Sequence, residues 1–269
     1  MKKILMAGAA LALGGGMALA QGLAPQSSAP QAPVPPGEAP APASASPSFS
    51  PQQREEIVSI LREALRTDPS ILRDAVGAMQ DAQRREQADA QRAALAASRD
   101  ALFNDARDPI KGNPRGDVTI VEFFDPRCGY CKALHPNMQA LLQRDRNVRV
   151  VMKDLPILGP NSVVASRALL AAQKQGKYEP LYDALLKLRT EPTEQVIQAE
   201  AQRAGLDWAR LRRDMDDPAI MQRIQANMAL AQRLQLEGTP ALVIGDTLVP
   251  GAVELSELER LVAEARRRG

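Results

Sequence analysis

An apolar run near the middle of the chain has the composition of a buried strand. From Asp117 to Phe124 the residues DVTIVEFF are β-branched, aromatic and almost all apolar, which predicts a strand covered on both faces. An amphipathic stretch then runs toward Leu142, and a second apolar run, VRVVMK, spans Val148 to Lys153. This strand–helix–strand order predicts a parallel pair with a right-handed crossover.

Beyond the second strand the pattern becomes helical. Residues at about 162–236 contain three helix-forming stretches, SVVASRALLAAQ, EPLYDALLKL and PAIMQRIQANMALAQRL. The segment GTPALVIGDTLV then predicts two short strands around a Gly245-Asp246 turn, and ELSELERLVAEARR predicts a closing helix. The sequence therefore predicts an α/β domain over residues 101–269, with a small sheet interrupted by a long helical insertion.

Two helix starts precede this domain. Ser50, Pro51 and Gln53 match an N-cap, a proline in the first helical position and a capping-box partner. A second start follows at Asp68-Pro69, and the proline there interrupts the first helical pattern. We therefore expect two consecutive helices in this region.

These helices form a predicted arm, residues 51–100, that has few apolar positions to bury. Beyond residue 79 its only large apolar residue is Leu95, which favours an exposed connection. Before that point, apolar residues recur at heptad spacing and form a seam, namely Val58, Leu61, Leu65, Leu72 and Met79. Either the helices pack on their own domain, or the seam joins copies of the chain. Because the seam lies at the far end of the arm, self-association is favoured, and we expect a homo-oligomer (dimer or trimer) assembled through residues 51–82.

The N-terminal residues have a different composition. Residues 1–20, MKKILMAGAALALGGGMALA, combine two lysines, a short apolar stretch and a small-residue site at Ala18-Leu19-Ala20, as in a bacterial signal peptide. The apolar stretch is too short and too rich in glycine to favour a membrane anchor. Residues 21–50 are rich in proline, alanine and serine, which predicts a disordered linker. Export places the two cysteines of the chain in an oxidising compartment, the periplasm.

The charge balance argues against some classes of partner. The chain has 34 basic and 32 acidic side chains, and removal of Lys2 and Lys3 with the signal peptide leaves 32 of each. A neutral balance gives no reason to expect nucleic acid or an anionic membrane as a partner. Aromatic residues make up only 3% of the chain, which argues against a surface that stacks on bases.

Both cysteines and the single histidine lie in the segment FFDPRCGYCKALHP. A structural zinc site needs about four ligands, and this segment offers only Cys128, Cys131 and His135. Haem attachment requires a histidine directly after the second cysteine, where this chain has Lys132. A purely structural disulfide across two intervening residues would remove little chain entropy.

Disulfide exchange, in contrast, needs what this segment supplies. Cys128 stands at a predicted strand-to-helix junction, where free N–H groups and the positive end of the helix lower the pKa of a thiol. Cys131 lies on the same helical face and can attack a mixed disulfide formed at Cys128. We therefore expect a redox-active Cys128–Cys131 disulfide, with Cys128 as nucleophile and Cys131 as resolving thiol, and neither a metal nor a cofactor.

Three segments carry a resemblance to a known family. VEFFDPRCGYCK, KDLPILGPNS and GTPALVIG together resemble the DsbA family of thioredoxin-fold thiol-disulfide oxidoreductases. The similarity is strongest to the exported, ScsC-like members that have an additional N-terminal helical region, and it covers roughly residues 101–269. It implies a thioredoxin-like fold with a helical insertion, preceded by the helical arm.

The resemblance also implies roles for further residues. Thr239-Pro240 matches the family's cis-proline element, which lies beside the active-site cysteines and binds substrate backbone. Glu122 matches the buried acid beneath the active site. In an apolar strand the pKa of this carboxyl group should be raised, and it can take the proton of Cys131. His135 is given no role, because a lone histidine is more often a packing or solvated side chain.

These observations predict an exported enzyme, a protein disulfide oxidoreductase or isomerase. Its implied partners are exported proteins with cysteines and a membrane redox partner that resets the active site. By resemblance, Gly129-Tyr130 between the cysteines and Thr239 before the proline also occur in dimeric disulfide isomerases, so the direction of electron flow stays open. Two alternatives remain. One is a periplasmic copper(I)-binding or metal-tolerance protein that uses the same thiols, and the other is an inert scaffold carried by the arm.

Overall fold

The structure, a computed structural model, describes residues 49–268. The predicted signal peptide and nearly all of the predicted linker lie outside these residues. The chain divides into two units, one up to Ala64 and one from Leu65 onward. In chain order the helices and strands are α1 (Pro51–Thr67), α2 (Ser70–Ala97), α3 (Arg99–Phe103), β1 (Ile110–Gly112), β2 (Val118–Phe124), α4 (Gly129–Arg144), β3 (Val148–Asp154), α5 (Pro160–Gln173), α6 (Tyr178–Leu186), α7 (Glu194–Arg203), α8 (Trp208–Asp214), α9 (Pro218–Arg233), β4 (Ala241–Ile244), β5 (Thr247–Pro250) and α10 (Leu255–Arg268).

The described strands form a mixed sheet in the order β1-β3-β2-β4-β5. β2 and β3 run parallel, with Val118 opposite Val148 and Phe124 opposite Asp154, as the crossover pattern predicts. β4 is antiparallel to β2, and β5 is antiparallel to β4. The sequence pattern missed β1, which pairs antiparallel with β3. Its residues, IKG, contain no apolar run that would mark a strand.

The two faces of β2 belong to different layers of the core. Because side chains alternate along a strand, Ile120 and Phe124 enter the cluster that includes residues of α4 and of the insertion helices. Val121 and Phe123 enter the cluster on the opposite face. Glu122 shares the face of Ile120 and Phe124. The alternation therefore puts one acidic side chain into the larger part of the core.

Helices α5 to α9 make up the predicted insertion. They run from Pro160 to Arg233, close to the expected 162–236. Thr193, Asp207 and Asp217 cap α7, α8 and α9 by accepting hydrogen bonds from backbone N–H groups, which explains where these helices begin. The predicted α/β class, with a small sheet and a helical insertion, is confirmed.

The predicted capping box begins α1. The Ser50 N–H donates to Gln53 Oε1 at 2.9 Å, and the Gln53 N–H donates to Ser50 Oγ at 3.2 Å. These two bonds satisfy backbone donors that a helix start otherwise leaves open. The break between α1 and α2 falls at Asp68-Pro69, also as predicted.

The heptad seam of the arm is exposed. Within the described chain no side chain of α1 is buried, and in α2 only Leu95 is. The exposed fraction of the seam residues ranges from 43% at Val58 to 66% at Met79. Leu95 packs with Leu102 and Leu230, so the last turns of α2 join the core. The seam therefore remains available for contact with another chain.

Candidate active site

The two cysteines lie at the junction of β2 and α4. Cys128 occupies the N-cap of α4 with extended backbone angles, φ −65° and ψ 122°. Its N–H donates to the Asp125 carbonyl oxygen at 3.0 Å and closes the turn that follows β2. Both cysteines are free thiols, with exposed fractions of 6% for Cys128 and 0% for Cys131. Both side chains are thus buried, and Cys128 retains slight exposure whereas Cys131 is fully enclosed.

The two thiols differ in proton affinity. The pKa of Cys128 falls to about 5, chiefly because the Cys131 thiol donates a hydrogen bond to its sulfur, with help from Thr239 and from the backbone N–H groups of Cys131 and Tyr130. These N–H groups belong to the first turn of α4, where backbone donors are free. Burial raises the pKa of Cys131 far above its ordinary value. At neutral pH the pair is therefore one thiolate and one thiol.

The Thr239–Pro240 element contacts the more exposed sulfur. The peptide bond between these residues is cis, as the resemblance implies. The Cys128 sulfur lies 3.1 Å from the Thr239 carbonyl oxygen, to which the protonated thiol donates a hydrogen bond. The Gly251 N–H donates to the Pro240 carbonyl oxygen at 2.8 Å and ties this loop to the end of β5. The fold thus brings Cys128, Thr239 and Pro240 to one place.

A cleft of about 670 Å³ opens beside the same loop. Its walls are the loop at 235–241, the edge strand β5 with Gly251, and three residues of α2, namely Gln87, Ala88 and Gln91. The lining combines amide side chains with apolar ones such as Leu248. Because Thr239 and Pro240 line the cleft, it extends to the residues beside Cys128. No sequence pattern predicts that α2 contributes a wall of this cleft.

Glu122 lies in the core on the α4 side of the sheet. Burial raises the pKa of its carboxyl group, and the charge of Lys111 and a hydrogen bond from Tyr182 oppose that rise. The Tyr182 hydroxyl donates to Glu122 Oε1 at 3.0 Å. Oε2 has no hydrogen-bond partner among the described residues, so one carboxyl oxygen is free to accept a proton. After burial and the neighbouring Cys128, Glu122 also contributes to the raised pKa of Cys131.

The polar side chains around this acid were not identified from the sequence. Lys111 is buried, its Nζ lies 3.0 Å from Asp183 Oδ1, and it also lies 4.1 Å from the centre of the Tyr182 ring. His135 is buried as well, with Nε2 3.5 Å from Asp183 Oδ1. Burial lowers the pKa of His135 to about 4, so this histidine is neutral at neutral pH. A lysine in a three-residue strand shows no pattern that would mark it as buried.

An apolar surface also adjoins the cysteine turn. Tyr130 is 72% exposed, and Ile157 and Leu158 are each 45% exposed. The buried Asp125 carboxylate accepts from the N–H groups of Ile157 and Leu158 at 2.8 and 2.9 Å. Arg127 donates to the Leu158 carbonyl oxygen. These bonds fix the loop of the KDLPILGP segment to the cysteine turn while its apolar side chains face solvent.

The described chain offers no metal centre beyond the two thiols. Residues 49–268 contain no group of three or more His, Cys, Asp or Glu side chains that could hold a metal ion. For the copper(I) alternative, the described residues supply only the sulfur ligands of Cys128 and Cys131, so the structure adds no support for it. Over the same residues, no helix combines the length and apolar character needed to cross a membrane.

A thiolate and a buried thiol one helical turn apart, at the end of a central strand, are the arrangement of a thiol–disulfide exchange protein of the thioredoxin type. Comparison with known proteins supports this assignment to a class. The family model for the DSBA-like thioredoxin domain matches residues 119–263. The chain belongs to this DsbA-like family of thiol-disulfide oxidoreductases, and its fold is the thioredoxin-like fold with a helical insertion.

Two solved structures illustrate the relationship. A thioredoxin-like oxidoreductase from Silicibacter pomeroyi is 47% identical, with a TM-score of 0.61 over 63% of this chain and 98% of that chain. ScsC from Proteus mirabilis, in a transitional conformation, is 31% identical, with a TM-score of 0.62 over 82% of this chain and 99% of that chain. The ScsC-like character inferred from the sequence is therefore confirmed.

A curated relative aligns over a shorter part of its own length. The Na(+)/H(+) antiporter NhaA 1 from Salinispora arenicola is 30% identical over 161 residues, which are 59% of this chain and 25% of the antiporter. The chain thus spans about a quarter of the length of that relative, and the similarity concerns that quarter alone.

Proposed function

We propose that the protein is an exported thiol-disulfide oxidoreductase that forms or isomerises disulfide bonds in extracytoplasmic proteins through the Cys128–Cys131 couple. The observation that carries this proposal is the asymmetry of the pair. Cys128 has a pKa of about 5 at the edge of the surface, whereas the pKa of the buried Cys131 is raised. A nucleophile must be ionised and reachable, and a resolving thiol must stay protonated until the mixed disulfide exists. These requirements assign Cys128 as nucleophile and Cys131 as resolving thiol.

Disulfide formation begins from the oxidised couple. A substrate thiolate attacks the Cys128 sulfur, the Cys128–Cys131 bond breaks, and Cys131 leaves as a thiolate that takes a proton. A second substrate thiolate then attacks the substrate sulfur of the mixed disulfide and expels Cys128 as a thiolate. The substrate loses two electrons and the couple gains them. Because a thiol of low pKa is the better leaving group, the pKa of Cys128 favours this direction.

Isomerisation begins from the reduced couple. The Cys128 thiolate attacks a wrong substrate disulfide and releases one substrate sulfur as a thiolate. That thiolate, or another in the substrate, attacks elsewhere, and the last attack expels Cys128 unchanged. No net electrons move. If the substrate does not rearrange, Cys131 attacks Cys128 and releases the substrate in reduced form.

Glu122 is proposed as the group that exchanges a proton with Cys131. Cys131 must lose a proton to attack and gain one when it leaves, and it is buried away from water. The unpartnered Oε2 atom of Glu122 supplies an acceptor in the same part of the core. Proton exchange with a positioned carboxyl group is general acid–base catalysis.

Thr239 and Pro240 are proposed to bind the substrate backbone. The cleft that they line accommodates an extended chain segment. Its amide side chains Gln87 and Gln91 provide uncharged hydrogen-bonding groups, and Glu237 adds one acidic group. The exposed Tyr130, Ile157 and Leu158 offer apolar contacts near the cysteine turn. An unfolded protein presents both backbone and apolar side chains, so this combination suits an unfolded substrate better than a folded one.

The arm is proposed to assemble a dimer or trimer through residues 51–82. Its seam is apolar at heptad spacing and exposed in the single chain, which is the state that coiled-coil partners require. Linking several active sites raises the effective concentration of a second thiolate around a bound substrate. This arrangement favours isomerisation, which needs repeated attack on one substrate.

Periplasmic location and a membrane redox partner complete the proposal. The location rests on the predicted signal peptide, residues 1–20, and on the need of a disulfide catalyst for an oxidising compartment. A couple that turns over must be reset after each cycle, and a membrane-bound electron carrier is the proposed partner for that step.

Two substitutions test the proposed function. Oxidised protein is mixed with a reduced, unfolded substrate and reduced protein with a scrambled one, and loss of free thiols and recovery of native activity are followed. Cys128→Ser should reduce both rates to the uncatalysed level. Cys131→Ser should still attack and should accumulate a covalent mixed disulfide, visible without reducing agent. An unchanged rate in the Cys128→Ser variant would refute the proposal.

A further inference from the structure

A connected set of buried and half-buried polar side chains from different elements includes Glu122. Tyr182 of α6 holds Glu122 Oε1 through its hydroxyl at 3.0 Å. Lys111 of β1 lies over the Tyr182 ring, with its Nζ 4.1 Å from the ring centre, and bonds Asp183 of α6 at 3.0 Å. Gln139 of α4 donates to the other oxygen of Asp183 at 3.1 Å. Sequence motifs for disulfide exchange account for none of these groups except Glu122.

We propose that Lys111 and Tyr182 are positioning residues that set how readily Glu122 exchanges a proton with Cys131. The inference rests on the proposed function and deepens it, because it concerns the resolving thiol of the same couple. It also gives the contact between the helical insertion and the sheet a chemical role, since Tyr182 and Asp183 both come from the insertion.

In the ion pair between Lys111 and Asp183 the two side chains are unequally exposed, and this supports an effect of Lys111 on Glu122. The Lys111 side chain is 2% exposed, whereas that of its partner Asp183 is 25% exposed. Water therefore screens the Asp183 charge more than the Lys111 charge, and the buried ammonium group retains influence on its other neighbours. Glu122 is one of them, and Lys111 opposes the effect of burial on the pKa of this carboxyl group. The Tyr182 hydroxyl acts in the same direction because it donates to the carboxylate.

The chemical step that depends on this balance is the attack of Cys131 on the mixed disulfide. The Cys131 thiol gives its proton to the Glu122 carboxylate, and its sulfur forms a bond to the Cys128 sulfur. The bond between Cys128 and the substrate breaks, and the substrate sulfur leaves with the electron pair as a thiolate. The step requires an ionised Glu122. If Glu122 held its proton too firmly, the resolving thiol would lose its acceptor.

Among the described residues, Lys111 is the one cation that acts on the Glu122 carboxyl group. On α4 Cys131 interacts with Glu122, and His135, which lies beside Tyr182 and Asp183, is neutral at neutral pH because burial lowers its pKa to about 4. On α6 Tyr178 adds a hydroxyl group, whose pKa burial raises well above its ordinary value. On the flanking strands the residues paired with Glu122 are the uncharged Met152 and Leu242.

The test follows the Glu122 carboxyl group itself. The full mature chain, reduced and labelled with ¹³C at the glutamate carboxyl carbons, is titrated by NMR, and the Glu122 signal is assigned by its loss in Glu122→Gln. Lys111→Met should move the Glu122 midpoint upward by about one pH unit or more, the usual size of the effect of one close charge. Tyr182→Phe should move it upward by less. A midpoint that stays at the wild-type value in a folded Lys111→Met variant would overturn the inference.

Controls separate this role from a structural one. Lys132→Met removes a lysine of α4 that bonds the Leu188 carbonyl oxygen instead, and it should leave the midpoint unchanged. With the reduced protein in excess over a scrambled substrate, the pH profile of the single-turnover rate of substrate reduction should shift upward in Lys111→Met. In a Glu122→Gln background, adding Lys111→Met should produce no further shift, whereas an equal shift there would contradict the proposal. If wild-type protein exchanged no disulfides, the proposed function would fail, and the NMR midpoint would still decide whether Lys111 controls Glu122.

Discussion

The Cys128 sulfur lies 3.1 Å from the carbonyl oxygen of Thr239, across 111 positions of sequence. The contact joins the proposed nucleophile to the proposed substrate-binding loop. A substrate backbone that docks along Thr239 and Pro240 is therefore held beside the sulfur that attacks it. Positioning of this kind replaces part of the entropy cost of bringing two reactants together.

The first prediction concerns ionisation of the nucleophile. Cys128 should titrate with a pKa of about 5, because its sulfur receives hydrogen bonds from Cys131, Thr239 and the first turn of α4. Thiolate absorbance near 240 nm in the reduced protein, followed against pH, gives this value. Cys131→Ala removes the largest contribution and should raise the pKa of Cys128. A Cys128 pKa near the value of a free thiol, about 8.5, would contradict this prediction.

The hydroxyl group of Thr239 gives a smaller, independent check. Thr239→Val keeps the shape of the side chain and removes its hydrogen-bonding group. The pKa of Cys128 should rise, but by less than in Cys131→Ala, because the Thr239 contribution is the smaller of the two. The same absorbance titration measures it. If the pKa of Cys128 rose more in Thr239→Val than in Cys131→Ala, Thr239 and not Cys131 would be the larger cause of its low pKa.

The second prediction concerns the cleft beside Pro240. Ala88 lines it, so Ala88→Trp should fill part of the space that an extended substrate occupies. The KM for an unfolded protein substrate should rise, and oxidation of a small dithiol should suffer much less. Ala90→Trp serves as control, since this alanine lies on the same helix and is exposed. Equal effects of the two substitutions would show that α2 is not a wall of the substrate site.

The third prediction concerns assembly through the arm. The full mature protein should be a dimer or trimer at tens of micromolar by light scattering, and deletion of residues 51–82 should give a monomer that oxidises dithiols but isomerises poorly. Leu61→Glu places a charge in the apolar seam and should weaken assembly. Ser59→Glu adds the same charge to α1 outside the seam and should not. A monomeric full-length protein would contradict assembly through residues 51–82.

Much of the fold was predictable because its signals are local. The sequence predicts a strand over Asp117 to Phe124, and β2 runs from Val118 to Phe124, because the short length of this run and its β-branched and aromatic residues favour a strand over a helix. The capping box at Ser50 and the break at Asp68-Pro69 are likewise set by residues a few positions apart. The thiol chemistry was also predictable from the sequence. The apolar strand before the cysteines and the amphipathic helix after them place Cys128 and Cys131 at a strand-to-helix junction.

The surroundings of Glu122 and the walls of the cleft could not be predicted in the same way. Lys111, Tyr182 and Asp183 meet only after the insertion folds back over the sheet, across separations of 72 residues in the case of Lys111 and Asp183. Such contacts depend on how the layers pack, and no period in the sequence encodes them. The position of Ala88 beside Pro240 depends similarly on the packing of Leu95 in the core.

The fourth prediction concerns a buried acid outside the proposed chemistry. Asp154 accepts a hydrogen bond from Tyr178 at 2.9 Å, and burial raises its pKa to about 7 from an ordinary value of 3.8. A carboxyl group whose pKa rises on folding stabilises the folded state at pH values below its pKa in the unfolded state. This stabilisation is lost as the pH rises through the pKa of the group in the folded state. Between about pH 5 and pH 8, the Tm of the wild type should therefore fall relative to that of Asp154→Asn.

Thermal melting followed by circular dichroism measures this difference. The comparison with Asp154→Asn isolates one group, because all other titrating side chains are shared by the two proteins. Asp74→Asn removes an exposed carboxylate of α2 and should leave the pH dependence of the wild type unchanged. If Tm plotted against pH gave parallel curves for the wild type and Asp154→Asn, Asp154 would not take up a proton in this pH range.

Equilibrium with glutathione tests whether Cys128 and Cys131 form a reversible redox couple. The reduced mature protein is incubated at graded ratios of reduced to oxidised glutathione, free thiols are alkylated, and the Cys128–Cys131 disulfide is quantified by mass spectrometry. We expect one two-electron transition, absent from Cys128→Ser and Cys131→Ser. Its midpoint should be more oxidising than that of thioredoxin, about −270 mV, because a thiolate of low pKa stabilises the reduced form. Failure to form this disulfide at any glutathione ratio would show that Cys128 and Cys131 are not a redox couple.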